Sequence, residues 1–574
     1  MAETLISPGV LARENDNSFV AQGPVTVGAV LIGPTVKGPV EIPTEITSYS
    51  QYQQIFGTTL SSGSPAQTYT YFTSIAAYNY FINGGTSLLV ARVVTGSYTS
   101  ATSSLIVSAS GATTPVFTLE TISEGVITNS SGSEDAIGAL ANGTSNNLRW
   151  QIVNSNTSSG TFDLLVRQGN DNSVEPTILE TFQGLSLDPF ASNYITKMIG
   201  DQKYTLRTDS VTATKYLQLS GSFPNQSAYI RVKSVNLTTP NYFNNAGTPN
   251  PIYTGSLPIV SSGSFGGAVG DIKAGANFYQ NINGTDTQGL TGGCYDDMIS
   301  LLANQDDYKY NVMLTPGLYN VDYTSQMTQI ISNTQNRGDA IYVTDMVAYG
   351  ASSVTTVTGE ASKRNTSYAA TYWPWVQVQD PDSGQNVWVP ASTMIGGVYA
   401  YNDSVSEPWF APAGINRGGL STVIRAERRL PQGDRDTLYN GKVNPIATFP
   451  GTGVVVYGQK TLQTRASALD RVNVRRLLIA LKSYISQVAN NLVFEQNTAA
   501  TRNNFLAQVN PYLESVQQRQ GLYAFQVIMD DTNNTPTVID QNQMVGQIYL
   551  QPTKTAEFIY LDFNITPTGA TFPA

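Results

Sequence analysis

The stretches "VTVGAVLIG" (25–33) and "SLLVARVV" (87–94) decide how this chain is read. Each is a short apolar run rich in Val and Leu, too short for a core helix, and predicts a strand buried on both faces. Between them lie "TSYSQYQQIFG", with Thr/Ser cap candidates and a terminal Gly57, and "TYTYFTSIAAYNYFINGG", stopped by Gly84 and Gly85. Both read as helices. Strand, helix, helix, strand is the pattern of a parallel α/β unit.

The same pattern returns after Gly270. "GCYDDMISLLANQ", "YTSQMTQIISNTQNRGD" and "STMIGGVYAYND" read as helices, and "YNVMLTPG" (310–317) and "AIYVTDM" (340–346) as strands. The C-terminal third predicts a strand at "TGVVVYG" (452–458) and helices near 472–493 and 498–520. Three strands follow, at "LYAFQVIMD", "QMVGQIYLQP" and "TAEFIYLDFNI", the last ones alternating apolar and polar as half-buried strands do. From about Thr95 to Asp271 the texture is different: Ser, Thr, Asn and Gly dominate, with short alternating runs such as "TFDLLVRQ" and "AYIRVKSVNL". This segment predicts one or two inserted β domains, with "SASGATTP" and "SSGSFGGAVG" as hinges. The fold class is therefore mixed α/β, a discontinuous α/β domain built from both parts of the chain around a β-rich insertion. No repeat of 20–50 residues is present, which excludes solenoids and propellers.

Composition narrows the function. The 574 residues are 41% hydrophobic but only 13% charged, about half the usual share, with 49 Gly and 32 Tyr. Either much of the surface is covered by neighbours in an assembly, or this is a Ser/Thr/Asn-rich β protein that needs none. A net charge of −10 argues against binding nucleic acid through the overall field, because that affinity comes from cations neutralising phosphates. There is no histidine, which removes Ser-His-Asp and Cys-His catalysis and imidazole metal sites. The lone Cys294 cannot form an intrachain disulfide. The first residues, "MAETLISPGVLAREND", have neither the basic nor the apolar region of a signal peptide, and no run reaches the ~18 apolar residues of a membrane helix, so the chain reads as soluble.

A search for chemistry finds little. There is no GxGxxG, Walker A or GxSxG; the glycines of "GTGVVVYG" have the wrong spacing. "DDTNNTPTVID" (530–540) is acidic, but it lacks EF-hand spacing and reads better as an Asx-rich loop between strands. Trp373 and Trp375 flank Pro374, as a sugar platform or as core or interface aromatics. "DRVNVRRLLIALKSYISQVANNLVFEQN" (470–497) is amphipathic. At about 100° per residue, Val474, Leu478, Leu481, Ile485, Val488 and Leu492 form one stripe; Arg471, Arg475 and Lys482 flank it, and Arg476 lies opposite. That flank is a solvated face with local ion pairs, a strip facing an acidic partner, or a base reader; the acidic total disfavours the last.

Several segments, in order, resemble the contractile tail sheath proteins of bacteriophages and related injection devices: "ISPGVLARE" (6–14), "GPTVKGPVEIPTEITSYSQYQQIFG" (33–57), "VPASTMIGGVYAYNDSVSEPWFAPAG" (389–414), "FPGTGVVVYGQKTL", "VNVRRLL", "FEQNTAATRNNF" and "PTKTAEFIYLDF". The likeness covers roughly 5–95 and 290–565; the middle resembles nothing nameable, in keeping with a family whose outer domains vary. The resemblance implies six-subunit rings stacked helically around a tail tube, assembled extended and contracting to drive the tube through the host envelope. It implies as partners other copies of the chain, the tail tube protein, and baseplate and tail terminator proteins. It implies no cofactor, no catalysis, no direct nucleic-acid contact and no membrane insertion, and a place in the virion tail assembled in the host cytoplasm. The chain then divides into an N-terminal arm (1–20), an inner α/β domain in two parts (21–95 and 271–440), outer β-rich domains (96–270), a C-terminal inner domain (441–555) and a C-terminal arm (556–574).

Arms that add strands to neighbouring sheets need extended segments with alternating side chains. Ile6, Val10 and Leu11, and Phe558, Tyr560 and Phe563, fit, with "ENDNS" and "QPTKT" as tethers; the other reading makes 556–564 the chain's own last strand. Arg471, Arg475 and Lys482 become candidates for facing an acidic tube, so that reversing Arg471 and Arg475 should weaken assembly and leave the monomer folded. A tail-fibre or surface adhesin is the alternative, drawn from the Ser/Thr-rich middle and the Trp pair.

Overall fold

The computed structural model describes residues 27–560, except residues 65, 131, 273 and 352. Ile6, Val10, Leu11 and Phe563 lie outside the described residues.

An eight-stranded sheet organises the molecule. Its order is Thr44–Ile46, Leu88–Arg92, Val27–Gly33, Tyr310–Tyr319, Ile341–Asp345, Ala369–Trp373, Val443–Phe449 and Gly453–Val456. The inner strands run parallel; the two edge strands, Thr44–Ile46 and Gly453–Val456, are antiparallel. The strands are continuous apolar runs because both faces are covered: Ala29, Val30, Leu31 and Ile32, and likewise Ile341, Tyr342 and Val343, are buried in one core. The helices Phe72–Ile82 and Ser392–Val405 pack together over the strands. Gly397 allows it, since a Cβ there would meet the Asn79 carbonyl oxygen at 2.6 Å. Trp373 and Trp375 belong to this core, Trp375 donating from Nε1 to the Val347 carbonyl, which excludes the sugar platform.

The segment between the second and third parallel strands of the chain forms a separate antiparallel sheet of seven strands with its own core, including Phe117, Trp150 and Phe162. Its entry strand Ser100–Ser103 and exit strand Ser261–Gly266 are neighbours, pairing Thr102 with Gly266, so the insertion leaves and rejoins the main body at one place. At that neck Arg92, fully buried, donates from Nη1 to the carbonyls of Gly38 (2.6 Å) and Glu124 (2.9 Å). Burial pushes its guanidinium down to about 10. A hairpin of the insertion, Lys203–Thr208 with Lys215–Ser220, also reaches the main core through Leu206 and Leu217.

After the last edge strand the chain builds a third core from the helices Val472–Asn490 and Ala499–Gln518 and the hairpin Leu522–Ile528/Gln547–Pro552. Tyr484 and Tyr512 stack between the helices at 3.8 Å.

Two expectations are corrected. "TYTY" is not the start of a helix: Gln67–Thr70 pairs with Thr59–Ser62, as its Thr/Tyr content favours, and the helix begins only at Phe72. "TAEFIYLDFNI" forms no strand in its described part, to Tyr560, and that part pairs with none of the described strands.

Asp345, at the end of its parallel strand, is fully buried and accepts from the backbone nitrogen (3.1 Å) and hydroxyl of Ser392, at the start of a helix. It thus caps a helix that its own N-cap residue, Ala391, leaves without a side-chain bond. Burial raises the carboxyl from 3.8 to about 7, and the two bonds from Ser392 only partly oppose this. In the unfolded chain the group ionises first, so between those values unfolding releases a proton and stability falls as pH rises, levelling off above about 7. Asp345→Asn should remove that component, at most about 1.4 kcal/mol per pH unit. Denaturant midpoints of wild type and variant across this range check it; parallel pH profiles would contradict it.

Candidate assembly surface

The basic flank of the Val472–Asn490 helix is mostly internal. Arg475 is 4% exposed; its guanidinium lies 3.9 Å from the centre of the Tyr368 ring and donates to the Ser367 hydroxyl. Burial lowers its pKa. Arg476 is equally buried. It bonds Asp403 through Nη1 at 2.9 Å and stands over Tyr399 at 4.7 Å. Burial works against that charge, but Asp403 prevails and raises the Arg476 pKa. Arg475 therefore leaves the list of tube-facing candidates. The stripe is wrapped on more sides at its N-terminal end than amphipathic spacing shows: Val472, Asn473, Val474 and Leu477 are buried beside both arginines. Further along, Leu478, Ile485 and Leu492 are only half-buried. Lys482 is exposed and reaches the Tyr368 hydroxyl at 3.4 Å.

Arg471 stands at the helix N-cap, partly exposed, between two carboxylates. Its Nη1 lies 2.9 Å from Asp470, and Nε and Nη2 donate to the two oxygens of Glu557 at 2.7 and 2.9 Å. Tyr439 also donates to Glu557, at 2.7 Å, and Gln459 at 3.0 Å. Burial alone would raise the Glu557 carboxyl; the bonds from Arg471, Tyr439 and Gln459 outweigh it and hold it below its ordinary range. Sequence reading placed Glu557 in an arm and missed this contact, since its partners lie far away in the chain.

Directly after Glu557, Phe558, Ile559 and Tyr560 are 68%, 76% and 88% exposed. Nearby, the hairpin Leu522–Ile528/Gln547–Pro552 turns Phe525, Val527, Ile548 and Leu550 towards the helices and leaves Tyr523 and Tyr549 outside. Among the described residues no third strand joins either edge. A two-stranded sheet is marginal alone, and its open edges are templates for further strands. Beside it, Ile485, Leu492, Phe505 and Met529 line a cleft of about 890 Å³ together with polar residues such as Glu495, Asn497 and Gln543.

The family models divide the chain along the same lines. That for the phage tail sheath protein central domain matches residues 294–462, and that for the phage tail sheath C-terminal domain matches 464–566. Together the two tail sheath models cover residues 294–462 and 464–566 of the chain. Tail sheath proteins of Vibrio phage KVP40 (43% identical over 208 residues, 36% of this chain and 31% of the relative) and Enterobacteria phage T4 (42% over 187, 33% and 28%) are similar to it. The matched stretch spans less than a third of either relative. The crystal structure of the sheath tail protein from Listeria innocua shares the fold, with a TM-score of 0.51 over 92% of this chain and 96% of that one, at 9% identity. The sheet of the segment matched by the central-domain model is incomplete without the N-terminal strands Val27–Gly33, Thr44–Ile46 and Leu88–Arg92, which lie outside the match yet form one side of it. Boundary and architecture agree at the other end, where the C-terminal match begins just before the helix that opens the third core.

These positions separate the two arginines. Arg475→Glu should destabilise the monomer by on the order of 3 kcal/mol or more, because it buries an unpaired carboxylate. Arg471→Glu should leave the fold intact and set three carboxylates together at the surface. Melting curves of the two single variants check this; an Arg475→Glu protein as stable as wild type would contradict it.

Proposed function

We propose that this chain is the repeating subunit of a contractile tail sheath, stacked in six-membered helical rings around a tail tube and contracting to push that tube through a host envelope. The observation that carries the reading is the C-terminal hairpin with both edges unpaired among the described residues, next to an exposed apolar segment at 558–560 that pairs with none of the described strands. Each has what the other lacks, and pairing between copies would satisfy both. The tail sheath proteins of the two phages and the family models support the role.

In this reading residues 1–20 and 556–574 are arms that link copies, and the seven-stranded insertion is an outer domain. The tube, the baseplate, the tail terminator and other copies of the chain are its partners, and it resides in the virion tail after assembly in the host cytoplasm. Arg471 and Lys482 remain as the basic residues on offer to a tube. Work comes from the free-energy difference between two packings of the same subunits, with no catalytic step. Low overall charge suits a surface mostly covered by neighbours.

Deleting residues 558–574 should abolish polymerisation and leave the melting temperature of the monomer within a few degrees of wild type. Sedimentation and negative-stain microscopy of both proteins check it. Tubes formed equally by the truncated chain would contradict the arm assignment.

A further inference from the structure

We propose that Glu557 is a positioning residue, a pin that fixes where and in which direction the C-terminal arm leaves the subunit. The inference rests on the sheath reading for the arm's destination, but not for the pin itself.

The chain leaves the hairpin at Pro552 and is tied down in steps. Thr553 bonds the carbonyls of Gln520 and Gly521, at 2.7 and 3.2 Å. Thr555 accepts from Gln459 at 2.6 Å. Glu557 then enters a cradle of three side chains from three places: Tyr439 from the helix Gln432–Asn440, Gln459 from the turn after the edge strand, and Arg471 from the start of the long helix. The cradle is itself braced. The Val472 nitrogen donates to the Gln459 carbonyl (2.8 Å), the Thr461 nitrogen to the Asp470 carbonyl (3.0 Å), and the Lys460 ammonium stands 4.3 Å over the Tyr439 ring. Asn444 holds the Lys460 backbone from both sides, at 2.6 and 2.8 Å. Asp470 and Lys460 complete the charges around the pair.

A slack tether needs none of this. A two-pronged Arg–carboxylate contact fixes orientation as well as position. It sits one residue before three largely exposed side chains, Phe558, Ile559 and Tyr560. The tether expected at 551–555 is thus bonded to the body through Thr553 and Thr555, with Glu557 bonded just beyond it. A root held in place reduces the disorder that a docking arm must lose.

The test uses the full-length chain with Glu557→Gln, and Arg471→Lys as the variant that keeps the charge and loses the fork. Both should melt like wild type. In the monomer, amide exchange at 555–560 should quicken in both, and the concentration needed for polymerisation should rise on the order of tenfold for Glu557→Gln. Unchanged exchange at 555–560 would overturn the pin. Faster exchange with an unchanged polymerisation threshold would overturn its role in aiming the arm. Faster exchange in a chain whose wild type forms no polymer at all would support the pin and overturn the sheath reading.

Discussion

The structure depends on one helix serving two cores. Val472 and Ile479 of the Val472–Asn490 helix pack into the core of the central sheet, while Leu477, Leu481 and Val488 pack into the C-terminal core. Between the two sets lie Arg475 and Arg476, buried where the cores meet. Such charges are tolerated only with partners in place. Arg476 requires Asp403 and Tyr399 from the Ser392–Val405 helix, and Arg475 requires Ser367 and Tyr368 from the approach to a central strand. The arginines thus make the relation between the two parts specific. Trp409 secures it from the other side: its indole nitrogen donates to the Arg519 carbonyl, and its own carbonyl accepts from Asn473.

The insertion follows a different logic. Its core shares no residues with the central one, and its entry and exit strands are adjacent. Changes inside it are felt at the neck, around Arg92, and at one hairpin. This arrangement lets the insertion vary in sequence while the sheet beneath keeps its pattern. The C-terminal hairpin is the opposite case, half-buried on one face, leaning on its helices and, among the described residues, open on both edges.

Much of the fold was legible because it is written in local pattern. Val27–Gly33 and Ile341–Asp345 are continuous apolar runs, and such runs mean strands covered on both faces. Ser48 caps its helix through Gln51, as the cap candidates predicted. What was not legible is what depends on distant partners. Helical spacing put Arg475 on a flank and Arg476 on the far face, because spacing describes a single helix in isolation. Here a second helix and a strand approach wrap it, and both arginines are enclosed. Glu557 looked like one polar position in an arm, since nothing local distinguishes an acid whose arginine is 86 residues away. The Trp pair was ambiguous for the same reason, and tertiary burial resolves it.

The central claim is that the open hairpin and the segment after Glu557 complete each other between copies. Cryo-electron microscopy of the assembled protein tests it most directly. The account predicts density for residues beyond 557 running as an added strand along an edge of the hairpin Leu522–Ile528/Gln547–Pro552 of a neighbouring copy, with Arg475 and Arg476 still enclosed within each subunit. Assemblies in which that hairpin keeps both edges bare, or in which the segment folds back onto its own chain, would contradict it.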